Sequence, residues 1–509
     1  MRYGFAIDQR TCIGCHACTV ACKTEHEVPV GQFRTWVKYV DQGKFPNNTR
    51  DFGVMRCNHC TDAPCVKICP TKALYKRKDG IVDFDRDRCI GCKSCMQGCP
   101  YDAIYIDADT NTAAKCNFCA HRVDEGYEPA CVVVCPTHSI WVGDLDDPAS
   151  GISRLVNSNP VTVRSPEQNT GPNVFYLGAD RAVLDPLAAP VDESYIFSSP
   201  DPHRVATSRD LAVDPVSNAH TTLNTPHPRP WGWRVTTYLW AKGVGGGALV
   251  LASLAWLLGI DLGVLGSIVA PALGVVGTGA TGALLVWDLK RPERFWYLLA
   301  KSNFRSWLVL GAYALGLHAA VSGIWLLYGL GVATGLVGSS SVVWTALAVL
   351  GIPAGVSVAG YTAFLFGQAE GRDLWQSPLL FWHLIVQALM VGSGALAIAA
   401  LITGTDAPLI ARLFTVATAL HVLMLLLEYL GKHASKAAAV AAHMVTHGRY
   451  ARLFWAGGVA LSGLAMLGAA FGWNGTAAPL VALAGLAVQV SLLAYESVFV
   501  RAGQDVPLS

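Results

Sequence analysis

After Cys135 the chain has no further cysteine, and from residue 233 onward charge is confined to a few short loops and scattered single positions. Charged residues make up 15% of the whole and the net charge is only +2. So small a net charge, with the basic residues gathered at loops, excludes a nucleic-acid-binding surface. No nucleotide-binding glycine loop or nucleophile constellation is present. The densest glycine run, Gly243 to Gly247 with Val244 inside it, falls within an apolar stretch and reads as helix packing. Neither a secretory apolar segment nor a twin-arginine precedes Cys12. Disulfide frameworks belong to small secreted chains, so the cysteines need another use.

All sixteen cysteines fall in four groups: Cys12-Cys15-Cys18-Cys22, Cys57-Cys60-Cys65-Cys69, Cys89-Cys92-Cys95-Cys99 and Cys116-Cys119-Cys131-Cys135. A [4Fe–4S] cube takes four thiolates, so the count provides for four clusters with no thiol left over. The first and third groups follow the C-x2-C-x2-C-x3-C run of bacterial ferredoxins, whose fourth cysteine serves the other cluster of a pair. The second stretches one gap (Cys60 to Cys65) and the fourth inserts a longer excursion (Cys119 to Cys131). Three groups end in Cys-Pro, at Pro70, Pro100 and Pro136; Lys23 takes that place in the first. Zinc ribbons have neither the third close cysteine nor the Cys-Pro step. The pattern describes a wire for single electrons.

Composition then splits the chain. Residues 1–180 are charged and soluble in character. Residues 181–232 are rich in Pro, Ser, Asp, Asn and Thr and read as an extended linker or a strap along a partner. Residues 233–501 hold eight apolar stretches, each about 20 residues long as a membrane-crossing helix requires. They lie at 235–258, 262–287, 306–330, 342–367, 379–403, 408–430, 453–473 and 477–500. The expected architecture is an α+β ferredoxin-like domain followed by an all-α polytopic bundle of eight transmembrane helices.

The order of the cysteine groups, with Cys89-Ile90-Gly91-Cys92-Lys93-Ser94-Cys95 and Gly171-Pro172-Asn173-Val174-Phe175-Tyr176, resembles the iron–sulfur subunits of the dimethyl sulfoxide reductase, polysulfide reductase and formate dehydrogenase type. That resemblance spans roughly residues 1–185 and implies two nested dicluster ferredoxin folds with crossed ligation. Cys12, Cys15 and Cys18 would share a cluster with Cys135, and Cys116, Cys119 and Cys131 one with Cys22. Cys57, Cys60 and Cys65 would pair with Cys99, and Cys89, Cys92 and Cys95 with Cys69. The helix count, with the loops Asp288-Leu289-Lys290-Arg291-Pro292-Glu293-Arg294-Phe295 and Gln368-Ala369-Glu370-Gly371-Arg372-Asp373-Leu374-Trp375, resembles polysulfide-reductase-type membrane anchors. This second resemblance implies a haem-free bundle exchanging electrons with a quinone, menaquinone or ubiquinone. It also implies a molybdopterin (molybdenum or tungsten) catalytic partner subunit. In such relatives the two parts are usually separate chains; here they read as fused.

Ionisable groups inside lipid are costly and therefore functional candidates. Tyr238 and Lys242 lie one turn apart on the first stretch, His383 and Gln387 share a face of the fifth, and Asp288 ends the second. Lys242, His383, Tyr238 and Asp288 are the candidate quinone-site residues. His421 with Glu428 and Gln489 with Glu496 also return to one face. Only His318, His383 and His421 offer axial haem ligands in the bundle, at unequal depths, so no haem is expected.

Loops on the amino-terminal side carry five Lys/Arg at 288–305, one at 368–378 and four at 431–452, while the opposite loops carry none. The positive-inside rule then puts the iron–sulfur domain in the cytoplasm, on a multi-pass inner-membrane protein. The alternative reading of those basic loops is docking against the iron–sulfur domain. Three rival functions stand beside the quinone-linked one: an anchor for a nickel–iron hydrogenase pair, a redox-driven ion-translocating module, and a passive anchor.

Overall fold

The computed structural model describes residues 1–190, 219–225, 228–475 and 477–509. The strand Tyr3–Asp8 lies inside a four-stranded sheet, between Ile140–Asp144 and Val174–Leu177, with Val161–Thr162 at the edge. It runs antiparallel to the first neighbour (Ala6 opposite Trp141) and parallel to the second (Ile7 opposite Tyr176). Its side chains alternate as a strand's must. Phe5 and Ile7 join a core with Cys18, Phe118, Cys131 and Ile140, while Ala6 packs against Ile152 and Leu177 on the other face. Pairing Phe5 with Val142 draws the last cysteine group back onto the first.

Between these ends lie two short hairpins, Leu74–Lys76 with Val82–Phe84 and Ile104–Ile106 with Ala113–Lys115, and the one-turn helices Pro64–Ile68 and Ser94–Gly98. A long ribbon, Thr35–Lys44 against Asn47–Arg56, stands beside them. Most of the expected linker, 191–218 and 226–227, lies outside the described residues. Its described parts are fastened to the iron–sulfur domain: Val183 packs with Trp36 and Met55, and His220–Leu223 adds a third strand to the ribbon.

Eight helices among the described residues are long and apolar enough to cross a membrane. They are α1 (Trp233–Leu257), α2 (Leu265–Asp288), α3 (Trp307–Ala333), α4 (Ser341–Gly367), α5 (Leu380–Thr403), α6 (Pro408–Leu430), α7 (Leu453–Phe471) and α8 (Ala478–Asp505). Their bounds follow the hydropathy stretches within a few residues. Helix α8 runs on to Asp505 because its last turn is buried against the rest of the protein instead of meeting solvent: Gln504 bonds Gln97 and Trp231.

Helix α1 is the central one, packing against α2, α4, α5 and α8. Its glycines permit that: a Cβ on Gly247 would stand 1.8 Å from the Ala388 carbonyl oxygen of α5. Lipid supplies no hydrophobic drive between helices, so close van der Waals approach holds them together. Gly247→Ala is expected to cost about 1–3 kcal/mol by overpacking. Thermal unfolding of the detergent-solubilised protein measures it, as a lower midpoint.

Candidate functional site

None of the sixteen cysteines is in a disulfide. Cys12, Cys15, Cys18 and Cys135 line one cavity, and Cys69, Cys89, Cys92 and Cys95 line another. Cys22 faces Cys116, Cys119 and Cys131, and Cys65 faces Cys57, Cys60 and Cys99. Each set thus takes three thiols from one group and the fourth from another. The local cause is visible in the first and third groups. Left-handed backbone at Gly14 and His16, and again at Gly91 and Lys93, curls the loop so that its three sulfurs turn inward. The helices Ala17–His26 and Ser94–Gly98 then carry Cys22 and Cys99 to the neighbouring sets.

The donor sets suit an iron–sulfur cube. Among the described residues no group of three or more His, Cys, Asp or Glu converges to hold a single metal ion; the thiols ring a volume instead. Backbone N–H groups aim at the sulfurs, from Gly91 and Ala113 to Cys89 (3.4 and 3.3 Å) and from Ser139 to Cys135 (3.3 Å). Such donors tune cluster sulfurs. Burial, and after it the charge of neighbouring thiolates, pushes Cys92 and Cys119 each up to about 12. Thiolates so placed are stable only against a positive core, which iron supplies.

The sets form a line. Cys18 lies within electrostatic reach of Cys131, Cys116 within reach of Cys57, and Cys65 within reach of Cys95. Cys15 is exposed at one end. The set of Cys69, Cys89, Cys92 and Cys95 forms the other end and sits on the bundle. The α2–α3 loop bonds its backbone: Lys290 N and Arg291 N donate to the carbonyls of Gly91 and Ile90 (both 3.2 Å), and Arg294 Nη1 to those of Arg86 and Cys89 (2.7 and 3.0 Å). Asn303 holds the Cys69 carbonyl (2.8 Å), and Ser306 that of Ile68 (2.7 Å). Trp231 Nε1, just before α1, reaches the Cys92 carbonyl at 3.5 Å. Arg372, buried in the α4–α5 loop, pairs with Asp102 (3.4 Å) and donates to the Gln97 side chain (3.0 Å). Arg294 and Arg372 therefore count toward docking as well as toward the charge asymmetry of the loops.

The four predicted quinone-site residues separate into three places. Asp288 bridges the two domains, its carboxylate 2.6 Å from Lys93 Nζ and 3.7 Å from Arg234. Tyr238 and Lys242 are buried in α1 beneath that bridge. Lys242 Nζ donates to the Ala359 and Val358 carbonyls (2.6 and 3.3 Å) and lies 4.8 Å from the Tyr361 ring centre. His383 stands across the bundle, Nδ1 at 3.1 Å from Glu428 Oε2 and Nε2 at 3.0 Å from His421 Nδ1. The two imidazoles bond each other directly. His318 is held at 2.7 Å by Thr278. Glu496 of α8 lies within electrostatic reach of both Lys242 and Glu428, and so joins the second and third places.

Sequence reasoning missed Arg56, fully buried, which donates to Cys131 Sγ at 3.2 Å, and His26, 3.1 Å from Cys119 Sγ. It also missed Lys93 as the partner of Asp288. Nothing local marks these, since the partners lie 75, 93 and 195 positions away along the chain.

Comparison with known proteins follows the same division. A family model described as 4Fe-4S dicluster domain matches residues 49–145, and one described as polysulphide reductase, NrfD matches residues 221–506. A tetrathionate reductase subunit of Salmonella typhimurium is 45% identical over 190 residues, 36% of this chain and 76% of that protein. A polysulfide reductase polypeptide of Wolinella succinogenes is 40% identical over 187 residues, 36% of this chain and 98% of that protein. Thiosulfate reductase electron transfer subunit PhsB of Salmonella typhi is 43% identical over 178 residues, 34% of this chain and 91% of that protein.

Proposed function

The chain belongs to the polysulphide reductase NrfD family, joined to an iron–sulfur electron-transfer domain, and on that premise we propose that it links a catalytic partner to the membrane quinone pool. Its four thiol sets would hold four [4Fe–4S] clusters, which would supply the electron path. Their ligands are Cys12, Cys15, Cys18 and Cys135; Cys22, Cys116, Cys119 and Cys131; Cys57, Cys60, Cys65 and Cys99; and Cys69, Cys89, Cys92 and Cys95. The exposed first set faces a molybdopterin subunit that holds the substrate site; the last faces the quinone. The observation that carries this reading is the last thiol set, fixed by backbone hydrogen bonds to the ends of α2 and α3 and to Trp231, above Lys242 and Tyr238.

When bound, the clusters supply one-electron transfer. The protein's own part is to hold them in line and to serve the quinone. Lys242 and Tyr238 offer a cation and a hydroxyl to a quinone oxygen, the donors that a developing quinol anion needs. Asp288 braces the interface through Lys93, and His383 borders the site by way of Glu428 and Glu496.

The test is the anaerobically purified complex. About sixteen irons per chain are expected, with molybdenum or tungsten in the co-purifying subunit, and clusters that a quinol analogue reduces in an inhibitor-sensitive way. Nickel in the partner would establish the hydrogenase reading, and inhibitor-insensitive reduction the passive anchor. The iron–sulfur domain is placed in the cytoplasm on the loop charges. A reporter fused at Ser509 that is active only outside the inner membrane would overturn that placement.

A further inference from the structure

Electrons cross packed protein without atoms moving, but protons need a chain of groups that can each take and give one. At the interface above Lys242 the polar groups, Asp288 beside Tyr238 included, are taken up in pairing and capping. Lys93 and Asp288 are locked in an ion pair, Asn303 and Ser306 cap backbone carbonyls, and Arg372 is spent on Asp102. A different row of groups leads sideways through the bundle. It starts at Glu428, two residues from the end of α6, which is bonded to His383 of α5, itself holding His421. Glu428 also lies within electrostatic reach of Glu496 of α8, and Glu496 in turn faces Lys242 of α1.

Several atoms of this row are buried without a partner among the described residues: Glu428 Oε1, His421 Nε2 and Glu496 Oε2. A carboxylate buried with an idle oxygen is expensive unless it exchanges protons or holds water. His383 and His421 are fully buried, Glu496 is 1% exposed and Lys242 2%. The other titratable groups that face the row are Tyr238 of α1, Tyr361 of α4, Tyr429 of α6 and Tyr495 of α8. The ring of Tyr495 lies 5.5 Å from His383 and 5.7 Å from His421.

We propose that Glu428, His383, His421 and Glu496 form a proton relay that connects the quinone site to water on the iron–sulfur face of the bundle, beside the docked domain and not through it. The relay rests on the quinone reading above and adds its proton route. Reduction of one quinone takes two electrons from the clusters and two protons, forming two O–H bonds. Each proton enters at Glu428, whose side chain keeps 6% of its surface exposed near the end of α6, and each departure is refilled from water there. Oxidation runs the same steps in reverse. Because electrons and protons arrive from the same face, turnover moves no net charge across the membrane.

The experiment uses the whole complex in liposomes, with quinone-linked turnover and dye-linked turnover of the partner measured over a pH series. In Glu428→Gln the quinone-linked rate is expected to fall about 10²-fold, with a larger solvent isotope effect. The alkaline limb should shift to lower pH, because a relay without its entry acid starves first where protons are scarce. Dye-linked rate, iron content and quinone-analogue affinity should stay unchanged, and Glu428→Asp should restore the profile. Glu496→Gln should act alike; if it does not assemble, Glu428→Gln alone decides. An unchanged rate and pH profile in Glu428→Gln would overturn the relay while leaving the quinone site standing. Failure of the unmodified protein to bind a quinone analogue would instead sink the quinone reading itself. A membrane potential generated by turnover would also refute the relay, since it requires protons from the opposite face.

Discussion

Cys92→Ser is expected to stop quinone-linked turnover while sparing chemistry at the other end of the wire. Cys92 belongs to the thiol set that rests on the bundle, its carbonyl within reach of Trp231 and the next residue, Lys93, paired to Asp288. Losing that cluster should remove about four of roughly sixteen irons. The first two sets lie behind it in the line, and the Cys57 set meets the bundle at Gly371, beside the Cys99 carbonyl, so on the proposed path the step to Lys242 is the one broken. Loss of a supporting contact around a metal site already costs roughly 10–100-fold, so loss of a ligand should cost about 100-fold or more in quinone turnover. Dye-linked turnover, which enters near the exposed first set, should hold. Iron analysis and the two assays on one preparation decide it. Equal loss in both would mean that the last set is not the quinone end.

Lys242→Met is expected to lower quinone-linked turnover by at least as much as Cys92→Ser. Methionine keeps the length of the side chain and removes the ammonium buried in the bundle near Tyr238 and Tyr361. If Lys242 steadies or protonates a quinone oxygen, turnover should fall by about 10²–10⁴-fold, with all clusters loaded and reducible from the partner side. Part of any stability loss comes from Glu496, whose carboxylate would keep its burial and lose the cation it faces. Adding Glu496→Gln should therefore recover thermal stability without recovering turnover. Wild-type turnover in Lys242→Met would move the head-group site elsewhere.

Some of the site can be read from local pattern alone. The spacing Cys89-Cys92-Cys95-Cys99 names cluster ligands because a loop of that length can wrap three corners of a cube. The eight membrane helices are equally legible, since a span is defined by its own 20 or so apolar residues. Gly247 reads as a packing residue, and the structure sets it against the Ala388 carbonyl. Legibility fails where a residue's partner is remote. By pattern Asp288 is one more polar group at a helix end, yet it pairs with Lys93, 195 positions away. By pattern His383 belongs beside Lys242, yet it is held by His421 and Glu428, and Glu428 and then Glu496 stand between it and Lys242. The stretch after residue 180 reads as an extended linker or a strap along a partner from its composition, while His220–Leu223 forms an edge strand through backbone bonds that composition does not encode.

The amino-acid order by itself determined the chemistry available: thiols in fours, lengths of chain that only lipid can accommodate, and a few ionisable groups within them. Those properties belong to short segments, and a short segment carries its own spacing and hydropathy. Tertiary structure decided how the thiol sets meet the bundle, which acid braces the seam between the domains, and which ionisable groups lie in a row across α1, α5, α6 and α8. Each of these depends on helices and loops distant in the chain being packed at a few ångströms, and no local period records that.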